Sequence, residues 1–282
     1  QFGVGRGCER AVHLIRRLAR LHDSLICVDS TNAFNTIRRK VILDQVYKPA
    51  NKLHDLWELV DLSIGSPSKL VVCDGQGEVK YCMLSEEGVR QGSVLGPLLF
   101  SLALDVALDE LRDLDDAIVA YLDDITTGCP KSEVASTLER IKAALAKVGL
   151  TVNMKKGKTT ILSENPDDLP TSIPDDNRSS WTRVLGAPLG WPIAEETSSF
   201  CTAVAEKAFP FFNRVKNLHP VIGIRMLAIC GIPKLTYLLR VVPPEFTEKA
   251  ANSFDDHAYK FAVSLIGGKI PCPASADIVT LP

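Results

Sequence analysis

The chain has 282 residues, of which 46% are hydrophobic and 23% charged, and its formal net charge is −2. This is the composition of an ordinary globular protein of one or two domains, and it argues mildly against a protein devoted only to nucleic-acid binding. There is no run of about 18 apolar residues and no secretory signal, so we expect neither a membrane span nor export.

The first part of the chain alternates helix and strand patterns. Helices are predicted at residues 8–21, 41–47 and 53–64, and strands at 25–28, 69–73 and 78–84. The apolar run at 25–28 is short and continuous, which indicates a buried strand, and it ends on Asp29. The sequence DGQG between the second and third strands predicts a hairpin.

A second buried strand also ends in acidic residues. Gly96 and Pro97 begin a helix, since proline is favoured in a first helical turn. The apolar run at residues 117–122 predicts a strand that ends at Asp123 and Asp124. Further elements are predicted at residues 125–127 (strand), 132–148 (helix) and 159–162 (strand).

The composition changes at residues 163–180, which are rich in proline, aspartate and small polar residues and predict a mobile connection. Beyond them the spacing is helical, around residues 200–211, 224–239 and 246–261. Mixed elements followed by helices alone predict an α+β core and then an α-helical unit, with a boundary within 165–181.

Three weaker patterns bear on the setting of the protein. The eight cysteines are widely spaced, so we expect reduced, mostly buried thiols in an intracellular protein. The basic clusters at residues 38–40 and 155–158 are either solvated surface or phosphate contacts, and charge alone leaves both open. The chain lacks an initiator Met and a C-terminal feature, which predicts a piece of a longer protein.

The aspartates at the two strand ends are the pattern that points to chemistry. Aspartate is depleted in strands and costly to bury as an ion. A lone Asp29 would usually form a turn, but the pair Asp123 and Asp124 is harder to explain that way. Divalent cations would relieve their repulsion, and two Mg²⁺ ions about 3.5–4 Å apart can support in-line displacement at phosphorus. Nucleotidyl transfer requires such a site.

At these residues the sequence resembles the reverse transcriptases, and within that family it is most similar to those of non-LTR retrotransposons. Five motifs occur in the family's order: residues 29–35 (DSTNAFN), 87–100 (EGVRQGSVLGPLLF), 121–124 (YLDD), 149–156 (GLTVNMKK) and 184–190 (VLGAPLG). A four-residue YLDD match alone is weak, whereas the second motif and the order of all five are specific.

The resemblance implies roles for the acidic residues and for one aromatic. Asp29 and Asp123 would be the principal ligands of two Mg²⁺ ions, with Mn²⁺ as a substitute. Asp124 would be adjacent, and the Ser30 carbonyl would assist. Phe34 matches the gate position, where an aromatic ring leaves no room for the 2′-hydroxyl of a ribonucleotide. Without the motif, Phe34 would be an ordinary core residue.

It also implies residues that hold nucleotide and primer. Arg90, Gln91 and Gly92 would lie along the nucleotide and template. Lys156 would approach the triphosphate, with Lys155 and Lys158 as rivals. Leu185 and Gly186 would form the turn that grips the primer.

The fold implied is a polymerase palm, an antiparallel sheet backed by helices, with partial fingers and a helical thumb-like part. Residues 1–24 would be a remnant of the fingers and 25–165 the palm. Residues 166–197 would form the linker and primer grip, and 198–282 the thumb-like region. Because most of the fingers segment is missing, we expect that this piece can be folded yet inactive alone.

The expected function is RNA-directed DNA polymerase activity by two-metal transfer of dNTPs to a primer 3′-OH, as part of a nuclear retrotransposon protein. Its partners would be an RNA template and a DNA primer or target, with no membrane. Two alternatives remain: an inactive palm-derived fragment that binds RNA or protein, and an RNA-dependent RNA polymerase. The sequence gives no oligomeric state.

Overall fold

The computed structural model describes residues 5–191 and 194–267, and the chain divides into two compact units after Ser180. The helices of the first unit are α1 (Gly7–Leu21), α2 (Ala33–Thr36), α3 (Arg39–Tyr47), α4 (Trp57–Ile64), α5 (Gly96–Asp109) and α6 (Val134–Lys147). Its strands are β1 (Ser24–Val28), β2 (Ser68–Cys73), β3 (Val79–Ser85), β4 (Ile118–Tyr121), β5 (Asp124–Cys129), β6 (Thr160–Ser163) and β7 (Arg178–Ser179).

Short 3₁₀ turns join these elements. They are Pro49–Asn51, His54–Leu56, Arg112–Ala117, Lys131–Glu133, Pro166–Asp168 and Asp175–Asn177.

The central sheet has the order β4-β5-β1-β6-β7. β1 runs antiparallel to both β5 and β6, and β4 pairs antiparallel with β5. β7 adds two residues in parallel at one edge. The apolar run predicted as a buried strand is thus the middle strand, which explains why Leu25 and Ile26 are fully buried.

Helices cover this sheet on both faces. Ile26 and Val28 belong to the main hydrophobic core, together with apolar residues of α3, α5 and α6. Side chains alternate along a strand, so Leu25 lies on the opposite face, and α1 contacts β1, β4 and β5. The prediction of an antiparallel sheet backed by helices is confirmed, apart from the parallel edge strand β7.

Residues 163–180 differ from the mobile connection that their composition predicts. The Asn177 side-chain amide donates to the carbonyl oxygen of Thr159 at 2.7 Å. The Arg178 guanidinium donates to the carbonyls of Pro170 and Ile173 at 3.0 and 2.9 Å. These bonds and β7 attach the segment to the sheet.

The second unit contains a β-hairpin followed by helices. Its elements are β8 (Trp181–Val184), β9 (Ala187–Gly190), α7 (Ala194–Val215), α8 (Pro220–Met226), a π-helical turn (Leu227–Gly231), α9 (Pro233–Val241) and α10 (Pro244–Leu265). α7 packs along α10, and the Phe212 ring lies 5.6 Å from those of Phe254 and Phe261. The predicted helical unit is confirmed. The division into fingers, palm and thumb stays a prediction, and residues 1–4 and 268–282 lie outside the described part.

One apolar stretch of the second unit was not singled out from the sequence. The stretch Pro220–Val241 is long and apolar enough to cross a membrane by length and composition alone. Arg225 and Lys234 interrupt it, which is why no unbroken apolar run is visible in the sequence. Core helices of soluble proteins share this length and composition.

Within the described residues the cysteines form no disulfide bond, but they are less buried than predicted. Cys129 and Cys201 are buried, whereas Cys73, Cys82 and Cys230 are exposed. Two of the exposed thiols lie on the β2–β3 hairpin, which is a separate two-stranded sheet whose faces are open to solvent. Cys272 lies outside the described residues.

Candidate active site

The strand register brings the three predicted aspartates together at one end of strands β1, β4 and β5. This group of Asp29, Asp123 and Asp124 is called the acidic edge below. Val28 pairs with Ile125, so Asp29 and Asp124 leave adjacent strands at the same end. Tyr121 pairs with Asp124, which leaves Leu122 and Asp123 as a two-residue turn. Leu122 has a φ of 57°, a left-handed conformation that is unfavourable for leucine. This tight turn presents Asp123 at the tip of the hairpin.

Asp29 is held by the segment that precedes β6. The backbone N–H of Asn153 donates to the Asp29 carbonyl at 2.8 Å, and its side-chain amide donates to Asp29 Oδ2 at 3.2 Å. The Asp29 N–H donates to the Thr159 hydroxyl at 3.1 Å. Lys158 Nζ lies 3.9 Å from Asp29 Oδ1. The carboxylate is therefore fixed in place and faces one positive charge.

The three carboxylates are close enough for their charges to affect one another. Desolvation by the surrounding protein, and then the negative charges of Asp123 and Asp29, raise the pKa of Asp124 to about 6. The Asp124 side chain nevertheless remains open to solvent. A cation can therefore reach the group, and its charge would relieve the repulsion among the three acids.

The donor chemistry of this edge suits a hard divalent cation, because all three side chains offer carboxylate oxygens. Within residues 5–191 and 194–267, however, no three acidic, His or Cys side chains converge as a closed ligand set. Asp29 is instead turned towards Asn153 and Lys158. Ser30, whose carbonyl was expected to assist, is buried and pairs with Val152 in an isolated bridge. The three aspartates therefore offer the right kind of donor atoms for a divalent cation, but their side chains do not converge on one point.

Phe34 follows Asp29 by five residues, and its ring is supported by a second aromatic ring. The ring stacks on Phe100 with centroids 4.5 Å apart and planes within 8°. Phe100 is fully buried in α5, whereas Phe34 is only partly buried. The supporting ring therefore limits how far Phe34 can tilt.

Two backbone hydrogen bonds join the first motif to the second. The Val89 N–H donates to the Phe34 carbonyl at 2.7 Å, and the Gly88 N–H donates to that of Ile37 at 2.9 Å. Gly88 has a φ of 75°, and a Cβ there would stand 2.5 Å from the backbone of Asn35. Only glycine permits this approach.

Arg39 reinforces the same junction. Its side chain is 7% exposed and donates to the Gly88 carbonyl at 2.9 Å, and to the carbonyl and hydroxyl of Ser85 at 2.8 Å each. Burial and the nearby charge of Arg90 lower the pKa of this guanidinium. Basic cluster 38–40 is thus not simply a solvated surface, because one of its members is an internal clamp.

Two of the three residues predicted to follow the nucleotide and template lie at an open cavity of about 650 Å³. Arg90 and Gln91 line it, together with the apolar side chains of Leu70 and Leu84. Arg90 donates to the Ser68 hydroxyl at 3.1 Å. Gly92 has a φ of 86°, and the space where a Cβ would stand is open, so a ligand can approach its backbone.

The rival lysines separate in space. Lys156 Nζ lies 2.9 Å from Asp176 Oδ1, on the exposed surface. Lys158 is the lysine beside Asp29. The turn between them is closed by the Lys158 N–H and the Lys155 carbonyl at 3.1 Å, with Gly157 at a φ of 72°. The structure therefore brings Lys158, and not Lys156, to the acidic edge.

In the second unit, Leu185 and Gly186 form the two-residue turn between β8 and β9. Both have left-handed backbone angles, with φ of 49° and 83°. The Tyr237 hydroxyl, from α9, donates to the Leu185 carbonyl at 2.6 Å.

Several residues around these sites were not singled out from the sequence. They are Arg39, Phe100, Asn153, Thr159 and Tyr237. Phe100 and Asn153 lie within two of the five motifs, and their place there could have marked them as candidate site residues. Nothing local marks Arg39 or Tyr237, because their partners are distant in sequence.

Comparison with known proteins places these motifs in a family. The family model described as "Reverse transcriptase (RNA-dependent DNA polymerase)" matches residues 1–194. The retrotransposable element SLACS 132 kDa protein of Trypanosoma brucei gambiense is 30% identical over 276 residues. The match covers 95% of this chain and 22% of that protein, so the chain spans about a fifth of its relative.

Solved structures of telomerases are also similar. Apo telomerase from Candida Tropicalis has a TM-score of 0.45 at 12% identity, over 96% of this chain and 56% of that one. Telomerase from Candida albicans, in complex with a TWJ fragment of telomeric RNA, has a TM-score of 0.40 at 12% identity, over 96% and 48% of the two chains.

Proposed function

The chain belongs to the reverse transcriptase family, and on that premise we propose that its protein is an RNA-directed DNA polymerase. It would add deoxynucleotides to a primer 3′-OH with an RNA strand as template. The observation that carries this proposal is the β1–β5 register, which brings Asp29 beside Asp124 and the turn that holds Asp123.

Reverse transcriptases generally use divalent metal ions, and we propose that Asp29, Asp123 and Asp124 would hold two Mg²⁺ ions here, or Mn²⁺ in their place. When bound, such ions supply positive charge that favours attack by the primer hydroxyl and departure of pyrophosphate. The protein's own contribution is positioning. Asn153 and Thr159 fix Asp29, and the two-residue turn fixes Asp123.

The flanking residues would select and hold the nucleotide. The Phe34 ring, braced by Phe100, would lie under the sugar and exclude a 2′-hydroxyl. Arg90, Gln91 and Gly92 would follow the nucleotide and template along the cavity that the first two of them line. We assign the triphosphate contact to Lys158 in preference to Lys156, because Lys158 is the cation beside Asp29.

The likeness to the SLACS protein supports a proposal about the element to which the chain belongs. We propose that the chain is part of a retrotransposon protein, that its partners are the element's RNA and a DNA primer or target, and that it acts in the nucleus. The turn at Leu185 and Gly186 would grip the primer strand.

The test is primer extension by the full-length protein on an RNA template, with Mg²⁺ and either dNTPs or NTPs. We expect Mg²⁺-dependent extension with dNTPs. Asp123→Asn should abolish it while the fold persists, because the shape is kept and a ligand is lost. Asp44→Asn is the matched control, since Asp44 is exposed on α3 and forms a surface ion pair with Lys40.

The two alternatives give different results. Extension with NTPs in place of dNTPs would indicate an RNA-dependent RNA polymerase. Tight RNA binding with no extension under any condition would indicate an inactive binding protein. Wild-type turnover in Asp123→Asn would overturn the site assignment.

A further inference from the structure

The turn between β8 and β9 is strained and lies on a small hairpin. Leu185 has a φ of 49°, a conformation that costs a leucine roughly 1–2 kcal/mol. The two strands have four residues each and form their own two-stranded sheet. An isolated hairpin of this size is marginally stable. Support from outside the hairpin is therefore needed to keep one turn geometry.

Tyr237 supplies such support. Its hydroxyl donates to the Leu185 carbonyl at 2.6 Å, a short and strong hydrogen bond. Its ring lies 3.5 Å from the point where a Cβ on Gly186 would stand, so the ring also packs on the turn.

Tyr237 belongs to a helix that is well packed in the core of the second unit. Tyr237 lies in α9, and its neighbours Leu235 and Leu238 are both 3% exposed. α9 contacts α7 and α10 in the helical core of the second unit. The hydroxyl is thus held by a helix and not by another loop.

Because the peptide bond is planar, the hydrogen bond from Tyr237 to the Leu185 carbonyl also orients the N–H of Gly186. In a trans peptide the carbonyl of Leu185 and the N–H of Gly186 share one plane and point in opposite directions. Fixing the carbonyl towards Tyr237 therefore aims the Gly186 N–H away from α9. Glycine has no side chain of its own to cover this N–H, which makes it a suitable donor to a phosphate oxygen. The Arg183 guanidinium, 3.7 Å from the point where a Cβ on Gly186 would stand, adds a positive charge near the turn.

We infer that Tyr237 is a positioning residue that holds the Leu185–Gly186 turn so that the Gly186 N–H meets a phosphate of the primer strand. This inference rests on the proposed function. It adds a specific determinant of primer affinity in the helical unit, which acts through Leu185 and does not touch the reacting atoms.

The test is Tyr237→Phe in the full-length protein, which removes the hydroxyl and keeps the ring. We expect the KM for primer–template to rise about five-fold, the loss of one ordinary hydrogen bond. At saturating primer, kcat and the KM for dNTP should stay within about two-fold. Hydrogen exchange of amides 185–187 should quicken more than elsewhere in the chain.

The matched control is Thr236→Val. It removes a hydroxyl one residue away on the same helix, where the partner is the Ile232 carbonyl of the preceding turn. Its primer KM should equal that of the wild type.

The outcomes separate the two proposals. If the wild type extends primers and Tyr237→Phe has an unchanged primer KM, the role of Tyr237 is overturned and the polymerase proposal stands. Faster exchange with an unchanged primer KM overturns that role in the same way. If the wild type binds primer–template but never extends it, the polymerase proposal fails, and the primer role fails with it.

Discussion

The backbone N–H of Val89 donates a 2.7 Å hydrogen bond to the carbonyl oxygen of Phe34. Phe34 carries the proposed sugar gate, and Val89 begins the loop that leads to Gln91. A second bond joins Gly88 to Ile37, and Arg39 holds the same loop. These two parts of the proposed nucleotide site are therefore directly connected. A displacement of either part is therefore expected to disturb the other.

Gly88→Ala should break this junction. Its φ of 75° disfavours alanine, and the new Cβ would stand 2.5 Å from the backbone of Asn35. We predict a loss of about 2–4 kcal/mol in the free energy of unfolding, made of left-handed strain and overpacking. Chemical denaturation measures it.

Gly77→Ala is the control for that prediction. Gly77 has a φ of 87°, but open space surrounds the point where its Cβ would stand. It should lose only about 1 kcal/mol, the strain of the left-handed angle. Equal losses in the two variants would contradict a tight junction at Gly88.

Phe100→Leu should weaken sugar discrimination without touching the nucleotide. The substitution removes the ring on which Phe34 stacks at 4.5 Å, so the gate can tilt. We predict several-fold more ribonucleotide incorporation than in the wild type, and less than in Phe34→Val, which removes the gate itself. The ratio of kcat/KM for dNTP and NTP measures it.

Leu104→Ala controls for the general cost of a core substitution in α5, since Leu104 is 2% exposed. It should lower stability and leave the dNTP-to-NTP ratio unchanged. An unchanged ratio in Phe100→Leu would show that the stack does not support the gate, and an unchanged ratio in Phe34→Val would remove Phe34 from it.

Local patterns predicted the elements that carry the acids. Short apolar runs ending in aspartate predicted β1 and β4, of which β1 is buried as expected and β4 is only partly buried, against the prediction. The antiparallel register of β1 with β5 brings Asp29 beside Asp124. The helix at Gly96 was equally clear from its proline. These features are determined by residues that are close in sequence, so a local sequence pattern can predict them.

Contacts between distant segments were not predictable in this way. Arg39 belongs to a basic cluster that resembles a solvated surface, yet the Ser85 and Gly88 carbonyls need a donor, and Arg39 is turned inward to supply it. Residues 163–180 have the composition of a mobile loop, but Asn177 and Arg178 bond to carbonyls of the sheet and of the segment itself. The composition of a segment shows which polar groups it contains, but it does not show which distant groups they bond to.

Asp124→Asn should stabilise the metal-free protein above pH 6. The pKa of Asp124 is raised to about 6 from 3.8, so its contribution to stability is present below about pH 4 and is lost as pH rises through 6. Because the side chain is exposed, screening reduces the effect. We predict a Tm increase of about 1–3 °C in EDTA at pH 7.5, and a smaller difference at pH 4.

The same variant should respond less to Mg²⁺. Adding the ion should raise the Tm of the wild type, because binding to the folded state stabilises it, and raise that of Asp124→Asn by less. Asp44→Asn should follow the wild type in both buffers. Identical Tm values for the wild type and Asp124→Asn in EDTA at pH 7.5 would contradict the repulsion.

The two lysines at the turn around Gly157 provide the sharpest comparison at the nucleotide site. Lys158 Nζ lies 3.9 Å from Asp29, whereas Lys156 pairs with Asp176 on the surface. Lys158→Met should therefore raise the KM for dNTP by roughly ten-fold, the effect of losing one charged contact to phosphate. Lys156→Met keeps the same turn and the same change of charge, and it should cost clearly less. A larger loss in Lys156→Met would return the triphosphate role to Lys156, because position in the motif would then outweigh the distance to Asp29.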